Sequence, residues 1–158
     1  MAENRCRILS VDPNAGYATL VSQVQDADFR PWRIDAVNGS SPNTVSLDEA
    51  MRRQGIDVAE VLKMDIEGSE YAVLPGLLKT VNGSARFCQL QLEQHWKGTL
   101  EQYRGLQRTI SRAGFRLYNV EVNANCPGSH CSEYAYVHQS CLSRLGLQPP
   151  LALNFSPS

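Results

Sequence analysis

The chain has 158 residues, room for one domain with its own core at the usual size of roughly 100 to 200 residues per domain. Hydrophobic residues make up 42% and charged residues 20%, with 15 Lys plus Arg against 16 Asp plus Glu and a net charge of -1. That excludes a disordered tail, a collagen-like chain and a disulfide-dense mini-protein, and leaves no overall field to gather nucleic acid or an anionic membrane.

In chain order, Arg7 to Asp12 (RILSVD) is a short apolar run closed by an acid and a Pro-Asn turn, the pattern of a buried strand. Gly16 to Asp26 reads as a weak helix, and Trp32 to Val37 (WRIDAV) as a second strand ending in the turn-rich loop Asn38 to Asn43. Ser46-Leu47-Asp48-Glu49 has the form of a capping box, with Gly55 where the helix would stop. Val61 to Ile66 (VLKMDI) follows as a strand, then a helix through Gly68 to Val81 broken or kinked at Pro75-Gly76.

Phe87 to Glu93 alternates strictly, with Phe87, Gln89, Gln91 and Glu93 on one face and Cys88, Leu90 and Leu92 on the other. Thr99 to Gln102 is a second capping box, and Leu100, Tyr103, Leu106 and Ile110 recur at helical spacing as far as Gly114. Phe115 to Val122 and Glu133 to His138 read as an antiparallel strand pair at a sheet edge. The pattern predicts one α/β domain over 1–145, a mostly parallel sheet with helices on both faces, and a loose tail over 146–158.

The five cysteines, odd in number and mostly far apart, point to reduced thiols. A local Cys126–Cys131 bridge, or a metal site joining these two to His130 and His138, is the alternative. The opening residues lack the apolar run of a signal peptide and no stretch approaches the ~20 apolar residues of a membrane helix, so the expected location is cytoplasmic.

Three strand ends are acidic: Asp12, Asp65 with Glu67, and Glu93 with His95. In a parallel sheet such ends converge on the rim where ligands bind. Asp12 there could accept two ribose hydroxyl hydrogen bonds, or serve only as a turn residue. Asp65 and Glu67 share one side of an extended segment before Gly68; on residue type alone, acids suiting a helix dipole explain them as well. Glu93 and His95 could act as an acid/base pair, a substrate clamp or, with Asp65, a divalent-ion site.

The segment VLKMDIEGSEYAVLPGLL, preceded by TVSLDEAMRRQGIDVAE and followed by FCQLQLEQHW, resembles the FkbM-type methyltransferases and their eukaryotic methyltransferase-like relatives. GFRLYNVEVNANC with CSEYAYV resembles the closing strand pair of the same group. The resemblance implies a class I, S-adenosylmethionine-dependent methyltransferase fold, a Rossmann-like sheet whose last strand is antiparallel. By position it gives Asp12 the cofactor ribose, Asp35 the adenine edge, and Asp65, Glu67, Glu93 and His95 the methyl-acceptor side, with no metal. His95 with Glu93 is then the expected base.

One departure stands out: the chain has no G-x-G turn, and few residues precede RILSVD. The sheet is therefore expected to be incomplete at its N-terminal side, with an exposed edge suited to homodimerisation. Three functions follow in order: methyl transfer to an oxygen of a small molecule or glycan, a catalytically silent Rossmann-like module, and a metal-dependent hydrolase built on Asp65, Glu67, Glu93 and His95. None calls for nucleic acid or membrane.

Overall fold

Prolines and left-handed turns cut the chain into short elements. The computed structural model describes residues 6–36, 41, 43–78, 85–95, 99–123, 126 and 131–148. These fall into two compact units, Met1–Asp57 with Ala72–Leu77, and Val58–Tyr71 with Leu78–Ser158.

In the first unit, β1 (Ile8–Val11) pairs in parallel with β2 (Ala27–Arg30), and β3 (Arg33–Ile34) with β4 (Thr44–Val45). Between β1 and β2 run a 3-10 turn at Ala15–Tyr17 and helix α1 (Ala18–Val21). The helix expected over Gly16 to Asp26 shrinks to these few residues, because β-branched Thr19 and Val21 and the Ser22 that follows favour helix weakly. Asp26 then turns the chain out at φ 59°. The strand expected over WRIDAV is only Arg33–Ile34; Pro31 lacks the amide that would continue the ladder from β2. Strand β2, ADFR, alternates apolar and polar over only four residues, too short a run to stand out in pattern reading.

Helix α2 (Leu47–Arg53) starts where the capping box predicts, with the Ser46 side chain accepting from the Glu49 amide. Glu49 in turn accepts from Arg52 and Arg53, both at 2.7 Å, and these guanidinium groups hold its carboxyl down at about 2. Gly55 stops the helix at φ 63°. Past its end Arg7 donates to the Gln54 carbonyl at 2.9 Å and Arg30 to the Gln54 side chain at 3.1 Å, joining α2 to the β1–β2 pair.

The second unit is a four-stranded sheet in the order β5 (Ala59–Met64), β6 (Phe87–His95), β8 (Cys131–His138), β7 (Phe115–Val122). β5 and β6 are parallel, and β8 runs antiparallel to both its neighbours. The last strand is thus antiparallel, as the resemblance implied, and it is inserted between β6 and β7. Only β7 of the expected pair lies at an edge, where Leu117, Tyr118, Val120 and Val122 are exposed and a bulge interrupts its register. The single, mostly parallel sheet is corrected to three among the described residues, the largest of them mixed.

Along β6 the expected alternation holds: Leu90 and Leu92 are buried and Gln89, Gln91 and Glu93 half-buried. Helix α4 (Leu100–Arg112) carries both halves of its capping box and buries Leu106 and Ile110. It is tied to the sheet by Tyr136 donating to Gln107, Gln107 donating to Gln94, and a Tyr103–Tyr134 hydroxyl pair. Helix α3 (Glu70–Leu77) contains Pro75, which leaves the Tyr71 carbonyl without its helical donor. The described part of that helix ends at Leu77, and the expected extension to Val81 runs outside the described residues, as do most of the Asn38–Asn43 loop, His130 and the tail beyond 148.

The reduced thiols are a second correction. Cys88 on β6 is bonded to Cys141, 53 residues away with a Cα separation of 5.6 Å, and Cys126 to Cys131; Cys6 is free and exposed. Proximity across 53 residues is set by the sheet and leaves no mark in cysteine spacing. A metal site on Cys126, Cys131 and His138 is closed on the same grounds. Both sulfurs are spent, and His138 donates from Nε2 to the Ala113 carbonyl at 2.9 Å while Nδ1 accepts from the Ser140 amide. No described helix is long and apolar enough to cross a membrane.

Two measurements check this architecture. Thiol titration of the denatured, unreduced chain should find one thiol, and three or five would overturn the pairing. Gly114 sits at φ 94°, and a Cβ there would lie 2.6 Å from His138 Nε2. Gly114→Ala should therefore lower stability by about 2 kcal/mol, whereas Gly105→Ala, in open space inside α4, should raise it by roughly 0.5–1 kcal/mol in urea melts.

Candidate functional site

Parallel strands end together, and β5 and β6 are in register at Met64 and Leu92. Asp65 and Glu93 therefore follow side by side, and His95 closes β6 two residues further on. The chain leaves β5 through Asp65 and Ile66 into two consecutive left-handed residues, Glu67 at φ 57° and Gly68 at φ 99°. A glutamate in that region is strained, a condition typical of functional turns. The strand read as Val61 to Ile66 stops at Met64 for this reason. The Ile66 amide leaves the ladder to donate to Glu70 Oε1 at 3.1 Å.

Glu70, the first residue of α3, is completely buried. Its Oε1 also takes the His95 Nδ1 proton at 3.1 Å, while its Oε2 meets no donor among the described residues. A carboxylate oxygen in this position accepts from a ring N–H, and the bond fixes the orientation of the ring. His95, its side chain 10% exposed, then presents Nε2 to Asp65 Oδ1 at 3.7 Å and Glu67 Oε2 at 3.5 Å. These three ligand-type atoms lie within 4.8 Å of one another.

The structure thus brings together Asp65, Glu67 and His95, with Glu93 beside Asp65. Glu93 accepts from Asn123 at 2.8 Å and His95 Nδ1 is hydrogen-bonded to Glu70, while Glu93 and His95 still offer ligand-type atoms within 4.8 Å of each other. Pattern reading missed Glu70 and Asn123. The signal for Glu70 was a carboxylate opening an otherwise apolar helix, three residues beyond Glu67. Glu70, the acid that opens α3, turns its carboxylate inward onto an imidazole.

Burial, first, and then the charges of Glu93 and Glu67 raise the Asp65 carboxyl above its ordinary range, with His95 opposing. On the other face of β6, Gln94 donates to Tyr71 at 3.1 Å, and burial pushes the Tyr71, Tyr103 and Tyr136 hydroxyls up, so they stay neutral donors. Cys131 pairs with His95 across β6 and β8, but its sulfur is bonded to Cys126, which removes it as a ligand.

In the other unit Asp12 and Asp35 follow β1 and β3 at the carboxyl ends of parallel pairs. Each spends one oxygen locally: Asp12 Oδ1 accepts from the Asn14 amide at 2.7 Å, and Asp35 Oδ1 from the Ala36 amide at 2.6 Å. Asn14 then caps the 3-10 turn through the Gly16 amide. The turn role of Asp12 is therefore real. A half-buried carboxylate at a strand end still has the acceptor chemistry that a ribose diol requires.

The family model described as the methyltransferase FkbM domain matches residues 3–117, well over half of the chain. The chain belongs to this methyltransferase family. The match spans every element from β1 to α4 and the opening of β7, including Asp12, Asp35 and the whole Asp65–His95 cluster. It sets aside the hydrolase alternative. No curated protein and no solved structure gives a significant match.

The raised Asp65 carboxyl has a consequence for stability. A folded-state value above the unfolded one means that ionisation costs the folded state: the contribution is full below the unfolded value and lost as pH rises through the folded one. In the presence of a chelator, Asp65→Asn should melt higher than the parent at pH 7, and this advantage should vanish near pH 3. A variant that melts lower at pH 7 would show that Asp65 is held by favourable partners instead.

Proposed function

We propose that the chain is an S-adenosylmethionine-dependent methyltransferase that delivers the methyl group to an oxygen of a small molecule or a glycan. The observation that carries this reading is the His95–Glu70 pair, held at the shared end of β5 and β6 and facing Asp65 and Glu67, inside a methyltransferase-family domain. The cofactor supplies a methyl on a positive sulfur. The acceptor oxygen forms the new C–O bond, the C–S bond breaks, the sulfur departs as a neutral thioether, and the hydroxyl proton must go to a base.

The chain's own residues supply the rest. Asp12 and Asp35, at the ends of β1 and β3, would hold the nucleoside through their remaining acceptor capacity. Glu70 keeps the His95 ring in one tautomer, so the Nε2 lone pair faces outward and can receive the acceptor proton. Asp65 and Glu67 favour the imidazolium that results. In-line displacement asks for positioning more than covalent help, which suits a site without a nucleophilic side chain.

A catalytically silent module of the same fold is the second reading. It is favoured by the Asp12 contact to Asn14 and the absence of any G-x-G turn. Calorimetric titration with S-adenosylmethionine and S-adenosylhomocysteine separates the two. Micromolar binding is expected, weakened at least about tenfold in Asp12→Ala through loss of charge-assisted bonds and unchanged in His95→Ala. A folded chain that binds neither compound would overturn the methyltransferase reading in favour of the silent module.

A further inference from the structure

The outward face of His95 gathers ligand-type atoms. With Nδ1 hydrogen-bonded to Glu70, the ring turns Nε2 toward two carboxylate oxygens 3.5 and 3.7 Å away. One nitrogen and two oxygens within 4.8 Å of one another form a donor set suited to a cation.

A second observation points the same way. Glu70 is fully buried, its only ion-pair partner among the described residues is His95, and its Oε2 has no donor. Buried carboxylates normally sit against a cation or a full set of donors. A carboxylate that holds the far nitrogen of a histidine, fixing its tautomer and raising its basicity, is the usual outer support of a metal-bound imidazole.

From these contacts we infer a divalent-cation site formed by Asp65 Oδ1, Glu67 Oε2 and His95 Nε2, with Glu70 as the residue that orients His95. Imidazole and carboxylate bonds to such ions are about 2.0–2.2 Å long. Ligand atoms around one ion are therefore separated by roughly 3.0–3.6 Å, close to the separations seen here. One nitrogen with two oxygens suits Mn²⁺, Co²⁺ or Zn²⁺ better than Ca²⁺ or Mg²⁺, which prefer all-oxygen sites.

Three protein ligands leave positions open for a second molecule, and the rim of β5 and β6 is where the acceptor is placed above. The inference deepens that reading and rests on it for the acceptor alone. With the ion bound, His95 would serve as a ligand in place of the base role given above, and an acceptor hydroxyl held on the cation would be made more acidic, its proton passing to water. The strained left-handed Glu67 gains a purpose too, since that backbone directs its carboxylate back toward His95.

The test is titration of the chelator-treated full chain with Mn²⁺, read by the loss of free-ion electron paramagnetic resonance signal, and with Co²⁺, read by visible absorption. One ion per chain is expected. His95→Gln and Asp65→Asn should each weaken binding tenfold or more, and Glu70→Gln should weaken it less while leaving one site. Asp57→Asn, an exposed position outside the cluster, should bind as the parent does. Circular dichroism establishes that each variant is folded.

A folded parent that binds no ion, or one whose ion is unaffected by both His95→Gln and Asp65→Asn, would overturn the site. The outcome is independent of the cofactor titration. Ion binding without S-adenosylmethionine binding would sink the methyltransferase reading and keep the metal site. The converse result would leave His95 as the base and remove the metal.

Discussion

The interaction on which the candidate site depends is the burial of the Glu70 carboxylate against His95. Removing a carboxylate from water costs several kcal/mol unless partners compensate. Here one oxygen is shared between an imidazole N–H and the Ile66 amide. That single oxygen joins the start of α3, the exit of β5 and the last residue of β6. It draws the Ile66 amide out of the strand ladder, obliges the chain to turn back at once, and so places Glu67 and Gly68 in the left-handed region.

Around that anchor the sheet registers do the remaining positioning. Because β5 and β6 are parallel and aligned at Met64 and Leu92, their acids end on one rim. Insertion of antiparallel β8 between β6 and β7 sets Glu133 opposite Glu93 and Cys131 opposite His95. The same face therefore gathers Asp65, Glu93 and Glu133, relieved by Lys63 at 3.7 Å from Glu133 and by Asn123 on Glu93. On the opposite face the tyrosine and glutamine bonds to α4 supply neutral polar packing. The charged chemistry is thus confined to one side of β6, and strand alternation keeps the two environments apart.

The disulfides change the physical setting of this sheet. Cys88–Cys141 ties the middle strand to the segment after β8, and Cys126–Cys131 closes the loop next to His95. A cross-link over 53 residues restricts the unfolded chain considerably, on the order of 4 kcal/mol in the chain-entropy account. Bridges of this kind persist in oxidising surroundings, whereas the cysteine count by itself had pointed to reduced thiols.

Much of the molecule was legible without coordinates, for local reasons. Ser46 and Thr99 announce their helices because a cap needs only a hydroxyl and the next turn of backbone. Gly55 and Gly114 end helices because their φ values suit glycine. β6 shows itself by alternation, a property of one strand. The family, too, was readable from KMDIEGSE and QLEQH, since a motif is a local string. What the tertiary structure alone decided was pairing: β2 and β4, too short to signal, exist through their parallel partners, and Cys88 finds Cys141 only through the sheet. Likewise the hydrogen bond of His95 Nδ1 goes to Glu70, because a helix start folded back over the strand end reaches the ring directly. Sequence supplies the candidate groups; the backbone path between them selects which two meet.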